Sequence, residues 1–290
     1  YLSIKLVSSI ESIAVVVKLL ILIAFIGVGF YGLFANPENI TQLAPSNWES
    51  PLLLLSGGMV IFVAYEGFEL IANSVSDLED REKNTEKAYF VTVGFVILLY
   101  ILIAIVTVGA LPFKEIANAQ DYVLAKAAEP TLGHFGFTII TITALISTFS
   151  AINATILGSG RVNYNIAEDQ ELPKYFCHKF LGKPIGFLVT AVLSILLVNI
   201  FDLQSISTAG SSGFLLIFGI VNYIGFKKHK ELGSKNWIHL IAAILCFLAF
   251  FTLLIQQFQN NKLGVLVSLG IIVFCFVLEF VYKKTAAKEG

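Results

Sequence analysis

Charge is scarce in this chain. Only 13% of its 290 residues are Asp, Glu, Lys or Arg, against 57% hydrophobic, and the mean hydropathy is +0.82. That balance excludes a water-soluble domain, which needs far fewer apolar residues at this length. Cysteine is scarce too. Of the three, Cys246 and Cys275 lie inside apolar runs and Cys177 in a polar loop, which offers no disulfide framework. None has metal-ligand spacing with the four histidines. The chain has no HExxH motif, no paired aspartates in a span and no serine with an evident His partner, which argues against an intramembrane enzyme. No cofactor and no nucleic-acid partner are expected. The opening YLSIKLVSSIES has one lysine and no small-residue cleavage site, so it does not read as a cleavable signal. It begins on Tyr1 with a span following almost at once, and reads as part of a longer protein.

What the chain does have is long apolar runs, each able to cross a bilayer core roughly 30 Å thick. Eight are read, over residues 12–34, 52–75, 89–111, 135–159, 185–201, 205–226, 237–256 and 263–282. They are continuous rather than alternating, which excludes a β-barrel. The expected fold class is an all-α polytopic membrane protein of eight transmembrane helices in one membrane domain, residues 1–290, since no low-complexity linker divides it. The outer stretch PFKEIANAQDYVLAKAAEPTLG, residues 112–133, is Ala-rich and opens on proline, predicting one or two short surface helices that act as a structural lid.

The net charge of −1 hides an asymmetry. With an even number of spans both ends share one side, and that side holds fifteen of the 19 basic residues. The positive-inside rule then puts both ends in the cytoplasm.

Several residues break the rules of a membrane span. FVAYEGFELIAN, residues 62–73, sets Glu66 and Glu69 around Gly67 inside the second span, with two further glycines, Gly57 and Gly58, upstream. An acid at that depth costs several kcal/mol and ordinarily faces the bundle interior or a wet cavity. Glycine lowers the local helix preference by about 1 kcal/mol. Together they predict a helix interrupted near the midplane, where irregular backbone is tolerated if it is buried or lines a cavity. The alternative is close packing at the glycines, with the glutamates paired or protonated. Lys18, in IAVVVKLLILIAF, stands about two turns inside the cytoplasmic end of the first span. It reads either as a snorkelling lysine or as a cation held between helices whose proton can be lost. A Lys18–Glu69 pair is conceivable from their similar depth. In the fourth span Thr143, Ser147, Ser150, Ala154 and Gly158 form one small, polar helical stripe, suited to close packing or to lining a pathway. SISTAGSSGF, residues 205–214, is again small and polar, where a gate could close.

Three stretches, VVVKLLILIAFIGVG (15–29), FVAYEGFELIANSVSDLEDREKNTEKA (62–88) and AINATILGSGRVNYNIAEDQELPKYF (151–176), occur in an order and at separations that resemble the amino acid–polyamine–organocation family. Within it the chain is most similar to broad-specificity, proton-coupled amino-acid permeases. The resemblance implies a LeuT-type inverted-repeat fold and transport by alternating access in the cell membrane, with amino acids, protons and the lipid bilayer as partners. The match begins at the family's fifth helix. Residues 12–34 would then end the first repeat, 52–226 would form the second, and 237–282 the two C-terminal helices. Helices one to four, which carry half of the family's substrate site, are missing from the match, whether lost, truncated or supplied by another chain as a further partner.

The resemblance also implies site residues. Val63, Ala64, Tyr65, Glu66 and Gly67 match the unwound segment whose backbone carbonyls meet the substrate's amino group. Lys18 matches the lysine whose protonation is coupled to transport. Ser147 and Ser150 border that position. An ion-independent exchanger, a sodium symporter (disfavoured by Lys18) and a non-transporting membrane fragment are the alternatives.

Overall fold

The computed structural model describes residues 4–68, 71, 80–180 and 183–289. The apolar runs are mostly helical where they are described, the second one leaving helical geometry at Glu66 and Gly67. Among the described residues, six helical spans are long and apolar enough to cross a membrane: Ser12–Ala35, Lys83–Ala110, Phe113–Glu168, Leu203–Lys227, Asn236–Asn260 and Lys262–Lys284. Two more, Pro51–Tyr65 and Gly186–Ile200, are apolar but shorter. Large side chains point outward from them: Phe90 is 75% exposed and Phe149 76%. Such a surface is costly in water and favourable in lipid, so the chain is an all-α polytopic membrane protein.

The described residues form two compact units. The first comprises Tyr1–Trp48 and Leu70–Leu157. Its helices are α1 (Ile4–Ala35), α3 (Arg81–Ala110), α4 (Phe113–Ala119) and the first part of α5 (Val123–Glu168). The core gathers Phe25, Ile26, Leu99, Val106, Leu111, Ala125, Ala127, Ala128 and Ile140. Gly29 allows α1 to approach α3: a Cβ there would stand 2.1 Å from the Val106 side chain. Outside the bundle, the Gln42 side-chain amide donates at 2.6 Å to the carbonyls of both Val108 and Leu111, closing the carboxy-terminal end of α3.

The Ala-rich stretch is indeed two short helices, α4 and the start of α5, which leaves helical geometry at Gly133 (φ 61°, ψ −158°) before continuing. They are not simply surface helices. Ala119, Ala125, Ala127 and Ala128 are each 3% exposed, because small side chains let these helices press against the core that holds Phe25 and Val106.

The second unit comprises Glu49–Glu69 and Gly158–Gly290. It holds α2 (Pro51–Val60), the end of α5, two paired two-residue strands β1 (Lys179–Phe180) and β2 (Lys183–Pro184), α6 (Gly186–Ile200), α7 (Leu203–Lys227), α8 (Asn236–Asn260) and α9 (Lys262–Glu289). Helix α7 lies at its centre, packed by α8, α9 and α2. It starts at an N-cap, where the Asp202 carboxylate accepts the Ser205 N–H at 2.7 Å. One edge of α7 is apolar and meets Phe250 and Leu253 through Leu215. Its small polar residues do not line an opening: Ser205, Thr208, Ser211 and Ser212 are fully buried. Ser212 bonds Ser268 of α9, and Ser205 bonds Asn261 at the turn between α8 and α9. Hydroxyls serve here as bonds between closely packed helices.

Candidate functional site

The second apolar run departs from helical geometry within its first half. Ser50 caps α2 and Pro51 occupies its first turn, both standard for a helix start. After Val60 the chain tightens into a 3-10 turn, Ile61–Tyr65. Glu66 is then extended (φ −64°, ψ 167°), and Gly67 takes φ +105°, a conformation that side-chain-bearing residues rarely adopt. Glycine is therefore required at 67 by its backbone. Close packing does not explain it, since among the described residues a Cβ at Gly57, Gly58 or Gly67 would meet nothing within 4 Å. The rest of that run, including Glu69, lies outside the described residues, and so does the conceivable Lys18–Glu69 pair.

The interrupted segment is held by α7. The Ser211 hydroxyl accepts the Val63 N–H at 3.0 Å and donates to the Val60 carbonyl, also at 3.0 Å. Beside it, Gly210 gives room to Val63, whose Cγ2 would stand 3.1 Å from a Cβ at that position. Two turns further along α7, the Phe218 ring gathers aromatics from both sides of Glu66 and Gly67. Phe62 meets it edge-on at 6.2 Å, Phe68 stacks on it at 5.6 Å, and Phe214 of the same helix lies at 5.8 Å. Val63, Tyr65, Glu66 and Gly67 are half-buried here, and Ala64 is exposed.

The remaining predicted residues lie in the first unit, apart from Gly158, with which the α5 part of the second unit begins. Lys18 is half-buried on α1, and no ion pair of it is found among the described residues. On α5 the stripe is the packed face. Thr143, Ser150 and Gly158 are buried and Ser147 and Ala154 half-buried, while Leu145, Phe149 and Ile152 between them are exposed. The stripe's spacing of three and four is that of one helix face, and its small side chains are what a tightly packed face takes. No metal-binding group of His, Cys, Asp or Glu occurs among the described residues.

Sequence reading missed Ser211, Gly210 and Phe218 as partners of the interrupted segment. The only available signal was the cluster of small polar residues at 205–214. It marks α7 as unusual without saying that Ser211 meets residues 148 and 151 positions away.

Comparison with known proteins shows the family of the chain. The model of the amino acid permease family matches residues 1–281. The chain belongs to the amino acid permease family. It is 32% identical over 286 residues to an uncharacterized protein of Methanocaldococcus jannaschii, which covers 97% of this chain and 65% of that protein. It is 26% identical over 280 residues to the inner membrane transport protein YbaT of Escherichia coli, covering 96% of this chain and 64% of YbaT. The uncharacterized amino acid permease YtnA of Bacillus subtilis is 26% identical over 312 residues, with 99% of this chain and 64% of YtnA covered. This permease chain thus spans somewhat less than two thirds of the length of these relatives. In its second run the backbone leaves helical geometry at Glu66 and Gly67, within AYEGF, residues 64–68.

Proposed function

We propose that the protein of which these residues form part is a secondary active transporter of amino acids across the cell membrane, working by alternating access as a proton-coupled symporter. Both ends of the chain lie in the cytoplasm in this reading. Residues 12–34 close one repeat, 52–226 form its inverted counterpart, and 237–282 are two further helices. Backbone carbonyls of Val63, Ala64, Tyr65, Glu66 and Gly67 receive the substrate's amino group. Lys18 is the coupling group, its charged and neutral forms favouring different states of the site, and Ser147 and Ser150 lie on the helix that borders it.

The observation that carries the reading is the departure from helical geometry at Glu66 and Gly67 in a chain of this family. A membrane helix loses hydrogen bonds at such a point, and the loss is compensated where the freed groups meet a neighbour or a ligand. Among the relatives, YbaT is a transport protein and YtnA an uncharacterized amino acid permease. No covalent bond is broken in this process and no cofactor takes part.

The test is uptake of a labelled amino-acid mixture by proteoliposomes holding the full-length gene product, with and without an inward proton gradient, beside Lys18→Ala. Uptake that rises with the gradient and loses its pH response in Lys18→Ala is the expected result. Equal uptake at every pH in both proteins would instead identify an exchanger, with Lys18 a snorkelling residue.

A further inference from the structure

We propose that Ser211 is a positioning residue for the substrate contacts, acting through the interrupted helix rather than on the substrate itself. The inference rests on the transport reading above and adds to it a residue of a different helix. Ser211 touches the segment at two backbone groups, accepting from Val63 N–H and donating to the Val60 carbonyl, each at 3.0 Å. A serine hydroxyl has one proton to donate and lone pairs to accept with, so a single side chain serves both sides of the 60–63 step. Alanine serves neither. Ser211 is also fully buried, so no solvent stands ready to take over its two bonds.

Those two bonds fall where the ordered α2 ladder gives way to the 3-10 turn at Ile61–Tyr65. A side chain inserted beside a helix ladder is one of the few identified causes of a sharp bend. With Val60 and Val63 pinned, the path of the next few residues, up to the positive φ of Gly67, starts from a defined direction. The backbone of Val63 through Gly67 is then pre-set before any substrate arrives. Phe218, also on α7, gathers Phe62 and Phe68 from the two sides of Glu66 and Gly67. Helix α7 therefore grips the segment twice, by hydrogen bonds at its start and by ring contacts across it.

Pre-organisation of this kind acts on affinity. Without the hydroxyl the substrate must itself order the segment on binding, which weakens binding and leaves the later steps largely intact. In the full-length protein in proteoliposomes, Ser211→Ala is expected to raise the KM for a transported amino acid about tenfold, the effect of roughly one lost hydrogen-bonded bridge. Its Vmax per folded transporter stays within about twofold of wild type. Ser211→Thr, which keeps the hydroxyl, returns the KM to within about threefold. An unchanged KM in Ser211→Ala overturns the proposal. So does an equal fall in Vmax in both variants that follows a lowered Tm, since that is the mark of a merely structural residue. Where Ser211→Ala fails to fold, Ser211→Cys takes its place under the same criteria, being similar in size but a weak hydrogen-bonding group.

A second readout separates this inference from the transport reading. A spin label is attached at Ala64→Cys, with Cys177, Cys246 and Cys275 replaced by serine. Wild-type protein that moves no amino acid overturns the transport reading, and the label then decides on Ser211 alone. A more mobile spectrum in Ser211→Ala sustains the pin, and an unchanged spectrum overturns it.

Discussion

The Ser211 hydroxyl lies 3.0 Å from the Val63 N–H, although the two residues are 148 positions apart. That one contact ties the centre of α7 to the point where α2 stops being an α-helix. It makes this departure from the α-helix a built feature of the fold, supported from outside the segment. A frayed end would need no such partner.

Gly67 is expected to respond to backbone chemistry and not to size. Its φ of +105° disfavours any side chain, while among the described residues a Cβ would meet nothing within 4 Å. Gly67→Ala should cost about 1–3 kcal/mol. Gly67→Asn should cost less despite its larger side chain, because Asn tolerates positive φ better. Thermal melts of the detergent-solubilised protein, beside uptake, give the order. Ala performing better than Asn would show that space, not φ, governs this position.

Gly29 behaves in the opposite way. A Cβ there would stand 2.1 Å from Val106 Cγ1, and Val106 is fully buried. Gly29→Ala is expected to destabilise by about 1–3 kcal/mol, the usual cost of overpacking. Adding Val106→Ala should relieve part of that, so the double variant melts higher than the sum of the singles implies. Strict additivity would mean that the two residues do not share the contact.

At the end of α3, Gln42 donates to two carbonyls at once, those of Val108 and Leu111. Gln42→Ala should cost about 1–3 kcal/mol. Gln42→Glu should be worse at neutral pH, because it turns a donor into an anion facing two acceptors. Melting temperatures at pH 7 and pH 4 test this. The Glu variant should recover at the lower pH, where its carboxyl regains a proton to donate.

Asp202 makes the stability of α7 depend on acid. The Ser205 N–H beside it holds its carboxyl below the ordinary aspartate value. The folded state therefore binds the proton less readily than the unfolded one. The cap's contribution is complete above the ordinary aspartate value and is lost as pH falls through the lowered folded value. Asp202→Asn keeps a capping oxygen without the titration. Melts between pH 7 and pH 3 should show the wild type losing stability over the acid part of the range and Asp202→Asn losing less. Parallel curves would remove Asp202 from the account.

Much of the fold was legible because lipid imposes a simple rule. A bilayer demands long apolar helices, so the runs around Lys18, Thr143 and Leu215 could be read directly. Glu66 and Gly67 stood out for the same reason, being expensive inside such a run unless something compensates, and there the backbone leaves helical geometry. The position of the helix end was less clear, since propensity alone does not say that α2 stops at Val60. The Ala-rich stretch 112–133 was legible as short helices but not as packed ones. Its alanines suit an exposed helix and a crowded one equally well, and only the approach of Phe25 and Val106 decides between them.

By itself, then, the sequence determined the class of the protein, its apolar runs and its family resemblance. Each follows from local composition against a uniform solvent, which needs no knowledge of neighbours. Tertiary structure decided what holds the interruption. Ser205, Ser211 and Ser212 look alike in SISTAGSSGF, yet one caps a turn with Asn261, one pins Val60 and Val63, and one bonds Ser268. A hydroxyl's partner is set by which helix face meets it, and that meeting is made between residues far apart in the chain.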